Sequence, residues 1–80
     1  MRYVYPAVFH LAKDGISVEF PDLSGCLPCA DNVEEALRNA KEAMQLHLYA
    51  MKKDGDKIPT PTPIENIKIL KNERVMLIKS

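Results

Sequence analysis

One long amphipathic segment constrains the fold of this chain more than any other feature. From about Asn32 to Lys53, apolar side chains recur every three or four residues, which places them on one stripe of an α-helix. The stripe consists of Val33, Leu37, Ala40, Met44, Leu48 and Met51, with Ala36 at its margin. A chain of 80 residues has room for one domain, so this stripe is expected to lie on a sheet.

Both ends of this helix carry sequence signals. Asp31 is the expected N-cap, and Glu34 three residues later completes an Asp-x-x-Glu variant of the capping box. Lys52 and Lys53 suit the negative end of the helix dipole. Gly55 suits the left-handed C′ position that follows many helices.

Residues 3–20 have the pattern of a β-hairpin. Asp14-Gly15 is a type I′ turn signal between two apolar-rich runs. The pairs that this turn predicts are Leu11 with Val18, Phe9 with Phe20 and, on the opposite face, His10 with Glu19. Because Pro6 has no N–H to donate, the first strand should be bulged or unpaired there on one side.

Shorter elements complete the predicted sheet. Cys26–Ala30 is a candidate third strand, and Pro59–Pro63 is an extended, polyproline-like connector. Of two later apolar stretches, Ile67–Leu70 and Val75–Ile78, at least the second should be a strand. The order ββ(β)αβ predicts an α+β (α/β-like) fold, with one helix packed on one face of a mixed three- to four-stranded sheet. A last strand beside the first would follow a helical crossover and pair parallel to it.

The charge of the chain is balanced overall but unevenly distributed. Eleven basic and eleven acidic residues give a net charge of zero, which disfavours direct nucleic-acid binding. Residues 14–37 nevertheless contain six acids and no base, which favours an anionic surface suited to a basic partner. The alternative is that several of these acids only serve the helix N-terminus. With no apolar run of membrane-spanning length and no signal-peptide pattern, a cytoplasmic protein is expected.

Two sets of residues suggest chemistry, and neither set is complete. Cys26 and Cys29 have the C-x-x-C spacing of a redox pair or half a zinc site, for which His10 and His47 would have to supply the other ligands. A residual ribonuclease H-like nuclease would need converging carboxylates, whereas the first strand contains no acid. We therefore expect reduced thiols, no metal, no cofactor and no enzymatic activity.

Two large apolar residues, Leu46 and Tyr49, fall on the polar arc of the helix. In so small a domain they suggest a second buried contact, either with a protein partner or within a homo-oligomer such as a dimer or tetramer. The alternative is that they are scattered apolar residues of an ordinary surface.

Four blocks, spaced in order along the chain, carry a family signature. They are Tyr5–Phe9, Phe20–Cys26, Glu34–Ala43 and Ile58–Pro61. In this order they resemble the N-terminal domain of HicB-type antitoxins. The motif residues, which we expect to be structural, are Pro6, Phe20, Pro21, Gly25, Cys26, Ala36, Leu37 and Ala40. The resemblance implies a partial ribonuclease H-like fold without a working active site.

The resemblance also implies a protein partner, a HicA-type RNA-cleaving toxin whose catalytic surface the domain covers. The candidate contacts, taken from the acidic stretch and the loop that follows the second strand, are Asp22, Leu23, Gly25, Glu34 and Glu35. A stand-alone oligomeric scaffold is the alternative. Ser24, Ala30 and Cys29 depart from the family pattern. Residues 1–80 are expected to form a single HicB-like domain, without the C-terminal DNA-binding domain that such antitoxins usually carry.

Overall fold

The computed structural model describes residues 3–80, which form one four-stranded sheet covered by one long helix. The elements in chain order are β1 (Val4–Ala12), β2 (Gly15–Glu19), β3 (Cys29–Ala30), α1 (Val33–Lys53), a 3-10 turn (Ile64–Asn66) and β4 (Glu73–Lys79). The helix packs on one face of the sheet, so the predicted α+β class is confirmed. Within residues 3–80, no helix is long and apolar enough to cross a membrane.

The strands lie in the order β3-β2-β1-β4, and each neighbouring pair is antiparallel. The expectation of a mixed sheet with a parallel last strand was therefore wrong. The reason is the path that the chain takes after the helix. Thr62 is hydrogen-bonded to Asp22 near one end of the sheet, and the Asn72 carbonyl accepts from the Leu11 N–H at the other end. Because the connector traverses the sheet once more after the helix, β4 starts at the hairpin end and runs antiparallel to β1.

The hairpin forms, but its register is shifted by two residues from the prediction. The observed pairs are Phe9 with Val18, Leu11 with Ile16, His10 with Ser17 and Ala12 with Gly15. Lys13 and Asp14 therefore form the turn, not Asp14 and Gly15. Because the shift is an even number of residues, each side chain keeps its predicted face. Glu19 contacts His10 diagonally, with Oε1 3.5 Å from Nε2.

Gly15 is needed for a close backbone approach as well as for the turn. Its φ of +149° is a conformation that residues with a side chain rarely adopt. A Cβ at this position would also lie 3.0 Å from the carbonyl oxygen of Ala30 in β3. Glycine here lets the short third strand pair closely with β2.

The helix begins one residue later than predicted, because Asn32 and not Asp31 is its N-cap. The Asn32 Oδ1 accepts a hydrogen bond from the Glu35 N–H at 2.8 Å, so Glu35 occupies the position expected for Glu34. At the other end Gly55 has φ +76°, as expected for the C′ residue. The Gly55 and Asp56 N–H groups bond to carbonyls of the last turn, which is the Schellman arrangement.

Alanines under the helix set its orientation on the sheet. The buried helix positions are Ala36, Ala40, Met44 and Leu48, which join a core that contains Tyr5, Ala7, Phe9, Val18 and Phe20. Ala36, predicted at the margin of the stripe, is fully buried, whereas Val33 and Leu37 are 45% and 38% exposed. The buried stripe is thus rotated toward the small residues in the first half of the helix.

The observed strand pairing tests the predictions for Pro6 and for the two apolar stretches after the helix. The ladder between β1 and β2 reaches only to Val8, so Pro6 is unpaired on that side, as predicted, while it pairs with Leu77 of β4 on the other. Val75–Ile78 lies within β4, whereas Ile67–Leu70 forms no strand.

Candidate partner-binding surface

Backbone hydrogen bonds within the loop that follows β2 hold the loop in a compact turn, and its apolar side chain, Leu23, is buried. The Leu23 N–H donates to the Phe20 carbonyl at 3.0 Å, and the Leu23 carbonyl accepts from the Cys26 N–H at 3.1 Å. These bonds turn Leu23 inward, where it is 1% exposed and part of the core. Gly25 is exposed and has φ +86°, which suits the tight turn. Leu23 therefore packs the loop and offers no contact surface in this conformation.

Asp22 holds this loop to the proline-rich connector. Its carboxylate accepts from the Thr62 backbone N–H at 2.9 Å and from the Thr62 hydroxyl at 2.6 Å. Nearby, the Tyr5 hydroxyl donates to the Pro59 carbonyl. Burial, and then the charge of Asp22, raise the pKa of Tyr5 above its usual value. The Asp22 carboxylate thus has two hydrogen bonds within the fold and is only partly accessible.

An apolar groove lies between the end of this loop and the outer side of α1. Leu27, on the loop, is 67% exposed, and Leu46, on the helix, is 69% exposed. The other lining residues are Gly25, Cys26, Pro28, Ala43, His47 and Ala50. With a volume of about 460 Å³, the groove has room for one or two large apolar side chains of a partner. We call it the Leu27–Leu46 groove.

Leu27 is the residue of this surface that the sequence analysis missed. A single leucine between two cysteines shows no periodicity, so only its position next to Pro28 in a turn region signalled exposure. Leu46, in contrast, was singled out because it falls on the polar arc of the helix, and it is exposed as that pattern indicates.

The acidic residues of positions 14–37 do not form one continuous patch. Asp14, Asp31 and Glu35 border a groove of about 370 Å³ at the hairpin end of the sheet, and Glu34 is exposed on the same first helical turn. Glu19 lies instead on the sheet face opposite the helix, beside His10. The structure therefore brings Glu34 and Glu35 together with the turn acids, and not with Asp22.

The residues of the hypothetical zinc site are not brought together. His10 lies on the sheet face opposite the helix, where its Nδ1 contacts the Glu73 carboxylate, whereas His47 lies on the helix and lines the Leu27–Leu46 groove. Among residues 3–80, no three His, Cys, Asp or Glu side chains are grouped closely enough to hold a metal ion.

The two thiols are free and differ in their surroundings. Cys26 is 5% exposed and packs in the core, and this burial raises its thiol pKa. Cys29 is exposed in β3, where its carbonyl accepts a hydrogen bond from the Asn39 side chain at 3.0 Å. Neither thiol lies at a helix N-terminus, the position that lowers a cysteine pKa in redox pairs.

Most residues of the family signature serve packing. Pro6, Phe20, Cys26, Ala36 and Ala40 are buried. Leu37 is at the edge of the buried stripe, and Pro21 is exposed at the start of the loop.

Comparison with known proteins agrees with this arrangement. Residues 5–76 match the model of one family, described as the HicB-like antitoxin of bacterial toxin–antitoxin systems. The chain belongs to this antitoxin family. The match covers the sheet, the loop after β2, the helix and most of β4, so the whole described fold is that of the family.

Individual relatives cover the domain to different extents. A protein of Haemophilus phage HP1, described as an uncharacterized 14.9 kDa protein in the rep-hol intergenic region, is 39% identical over 62 residues. These residues are 78% of this chain and 47% of that protein, so the chain spans about half the length of this curated relative.

Solved structures of toxin–antitoxin complexes share the fold. A toxin–antitoxin complex from Streptococcus pneumoniae matches with a TM-score of 0.89 at 17% identity, covering 99% of this chain and 69% of that one. A HicA3 and HicB3 toxin–antitoxin complex matches with a TM-score of 0.71 at 20% identity, covering 94% of both chains. At these identities the likeness concerns the fold.

Proposed function

We propose that this HicB-like antitoxin binds a HicA-type RNA-cleaving toxin and neutralises it by covering the toxin's catalytic surface. The observation that carries the proposal is the Leu27–Leu46 groove, an apolar site that is open to a partner in a family of toxin-binding proteins. The HicA3–HicB3 complex, whose fold is similar, supports a toxin as the occupant. Stoichiometric occlusion requires no chemistry from this chain, so its role is non-enzymatic.

The apolar groove supplies most of the affinity in this proposal. Leu27 and Leu46 are both about two-thirds exposed and belong to two different elements, so one inserted side chain would contact both. Binding energy in protein interfaces concentrates at such central apolar anchors. Neighbouring Ala43 and Ala50 are small, which leaves the floor of the groove open for that anchor.

The acidic first turn of the helix supplies the charge. Glu34 and Glu35 lie about three turns N-terminal to Leu46, roughly 17–18 Å along the helix axis at ~1.5 Å per residue. A toxin that binds RNA presents a basic surface, and acids at this distance would attract it without entering the apolar centre. This arrangement replaces the sequence-based idea that Asp22 and Leu23 make the contact, since one is bonded within the fold and the other is buried.

The remaining functional expectations follow from toxin neutralisation. The antitoxin acts in the cytoplasm, where the RNA substrates of such a toxin are found. Residues 1–80 act as one toxin-binding domain and do not themselves contact nucleic acid, consistent with their net charge of zero. We also propose that the domain self-associates, as small domains commonly do to bury more apolar surface.

A matched pair of helix variants tests toxin binding. Leu46 and Tyr49 are similarly exposed, 69% and 63%, but Leu46 lines the Leu27–Leu46 groove, whereas Tyr49 lines a different groove that it shares with Tyr3 and Ser80. We expect Leu46→Ser and Leu27→Ser each to weaken binding to the purified HicA-type toxin at least tenfold by calorimetry, and Tyr49→Ser to change it less than threefold. Unchanged binding by both groove variants would refute the groove as the docking site. No detectable binding by the unmodified chain would refute the antitoxin proposal itself.

A further inference from the structure

One edge of the sheet is built to pair with another strand. β4 is the last strand in the order β3-β2-β1-β4 and has seven residues, whereas the opposite edge strand β3 has two. A strand of two residues offers little to a partner, but seven residues present a row of backbone groups that natural proteins normally pair, cover or block.

The phase of the β4 ladder identifies which backbone groups face outward. The Leu11 N–H bonds to the Asn72 carbonyl, and the Ser80 N–H bonds to the Tyr3 carbonyl. In an antiparallel ladder, alternate residues bond to the same neighbour, so the even-numbered residues of β4 bond to β1. The odd-numbered residues Val75 and Leu77 therefore direct their N–H and C=O groups away from the sheet. The β1 partner of Leu77 is Pro6, which has no N–H to donate, and this agrees with the phase of the ladder.

The sequence of β4 is complementary to itself when it is reversed. Pairing two copies antiparallel about Met76 gives the pairs Glu73 with Lys79, Arg74 with Ile78, Val75 with Leu77, and Met76 with Met76. The central pairs are apolar, and the outermost pair joins opposite charges. The same register places the outward residues Val75 and Leu77 opposite each other, so each copy donates and accepts two backbone hydrogen bonds.

The side chains on the sheet face opposite the helix fit this register. Leu77 is 53% exposed and Val75 is half-buried, so two copies would join them into one four-residue apolar cluster. The Glu73 carboxylate is buried beside His10 and already accepts from the Leu70 N–H at 2.7 Å. A partner's Lys79 would thus meet a fixed negative charge, which favours this register over registers that leave both charges unpaired.

The end of β4 also borders a second exposed surface. Tyr49, Lys52 and Gln45 on the helix line a groove of about 260 Å³ together with Tyr3 and Ser80. This groove is next to the last β4 residue, on the side of the helix opposite the Leu27–Leu46 groove. A copy bound at β4 would extend toward Tyr49, and the toxin-binding groove would stay open.

We propose that a second copy of this chain pairs with β4, antiparallel and centred on Met76, so that the two sheets form one sheet of eight strands. The proposal gives the surface for the self-association proposed above and does not depend on toxin binding. In this proposal Tyr49 lies next to the dimer interface at β4, and Leu46 lies in the groove that binds the toxin.

Backbone chemistry offers a selective variant for the test. The Leu77 N–H faces outward, so Leu77→Pro removes a donor from the free edge without removing a bond to β1, which edge strands tolerate. By analytical ultracentrifugation, we expect the unmodified chain to sediment as a dimer and Leu77→Pro to dissociate at least tenfold more readily, with an unchanged circular dichroism spectrum. Leu77→Thr, which keeps the N–H, should have a smaller effect.

Two cysteine variants test the register of the β4 pairing. This test does not depend on whether the proline variant folds. In a Cys29→Ser background, Met76→Cys places two thiols face to face across the symmetry axis, and mild oxidation should give a disulfide-linked dimer. Arg74→Cys on the same strand places the two thiols about 13 Å apart, because they are separated by four residues at ~3.3 Å each, and it should not cross-link.

Each other outcome contradicts a different part of the proposal. A monomer at all concentrations up to 0.5 mM (on the order of 10³ times a micromolar Kd) would overturn self-association and leave toxin binding unaffected. A dimer that persists in Leu77→Pro, or equal cross-linking of the two cysteine variants, would overturn the β4 edge and leave self-association standing. Amide protection of Val75 and Leu77 that appears only when toxin is added would show the toxin to be the occupant, contrary to the proposal.

Discussion

The carboxylate of Asp22 accepts two hydrogen bonds from one residue, Thr62, forty positions later in the chain. This contact joins the loop after β2 to the proline-rich connector at the point where the connector turns back along the sheet. It also explains why Asp22 is a poor candidate for a partner contact, although sequence analysis placed it in the acidic stretch. A carboxylate with two short internal hydrogen bonds is more costly to redirect than an exposed one.

Removing this contact should destabilise the domain. We expect Asp22→Ala to lower the free energy of unfolding by about 1–3 kcal/mol, because Thr62 loses a charged acceptor for two donors. Urea unfolding followed by circular dichroism measures the change. Glu42→Ala, an exposed helix position, is the control and should change stability by less than about 0.5 kcal/mol. A loss at Asp22 no larger than the control would show that the contact contributes nothing.

The N-cap of the helix gives a second stability prediction. Because the Asn32 side chain and not that of Asp31 accepts the Glu35 N–H, Asn32→Ala should cost about 0.5–2 kcal/mol. Asp31→Ala should cost less, since only its charge near the helix N-terminus is lost. The urea unfolding midpoints of the two variants show which residue is the N-cap. A larger loss of stability in Asp31→Ala than in Asn32→Ala would instead support Asp31, the N-cap expected from the sequence.

These two residues illustrate how far the sequence predicts this molecule. The faces of the hairpin, the helix and its Gly55 end follow from local periodicity and turn chemistry, and they agree with the structure. Choices between adjacent residues do not follow, because Asp31 and Asn32 are both good caps, and because Gly15 can serve a hairpin either within a two-residue turn or directly after the turn, where its positive φ is observed. The close approach of Gly15 to the Ala30 carbonyl of β3 is a contact between residues distant in sequence, and no local pattern indicates it.

The direction of β4 and the surface residues were harder to predict for a similar reason. The antiparallel pairing depends on the path of the connector, along which the Asp22–Thr62 contact lies, and this path has no local signature. Leu23 and Leu27 are both leucines in one loop, and backbone hydrogen bonds turn the first inward while the second stays exposed. Composition alone does not distinguish them.

The raised pKa of Tyr5 predicts a pH dependence at the alkaline end. Since the folded state binds the phenolic proton more tightly than the unfolded state does, the stabilisation is fully present below the unfolded pKa of about 10. It is lost as the pH rises through the higher folded pKa. Tyr5→Phe should be less stable than the unmodified chain at pH 8 by about 1 kcal/mol, because the bond to Pro59 is missing.

That difference should shrink as the pH rises above 10. Urea unfolding of both proteins at several pH values between 8 and 11 measures it, with Tyr49→Phe as a control at an exposed tyrosine. A difference that stays constant up to pH 11 would contradict a raised Tyr5 pKa.

The two cysteines should differ in reactivity and in their effect on stability. Cys29 is exposed and should react rapidly with a thiol reagent such as DTNB, whereas buried Cys26 should react only as the domain opens. Cys29→Ser should leave both stability and toxin binding nearly unchanged, and Cys26→Ser should cost about 1–3 kcal/mol by placing a hydroxyl in the core. Equal reaction rates for the two thiols would show that the loop opens freely.

The acids of the first helical turn should affect the rate of toxin association more than the lifetime of the complex. The double substitution Glu34→Lys and Glu35→Lys changes the charge by the same amount as Asp56→Lys and Glu65→Lys, a control pair of exposed acids elsewhere on the chain. Attraction between unlike charges raises association rates and is screened by salt. By stopped-flow or surface plasmon resonance, we expect the helix pair to slow association about three- to tenfold at low salt and to flatten its salt dependence.

Interpreting this result requires the control pair and a check that the helix variant is folded. Lysines at the helix N-terminus oppose the dipole and cost about 0.3–1 kcal/mol each, so circular dichroism must show that the variant stays folded at the assay temperature. An equal slowing by the control pair would indicate that net charge alone steers the toxin. An association rate and salt slope unchanged in the helix pair would rule out electrostatic docking at Glu34 and Glu35, and the Leu27–Leu46 groove would then have to account for binding by itself.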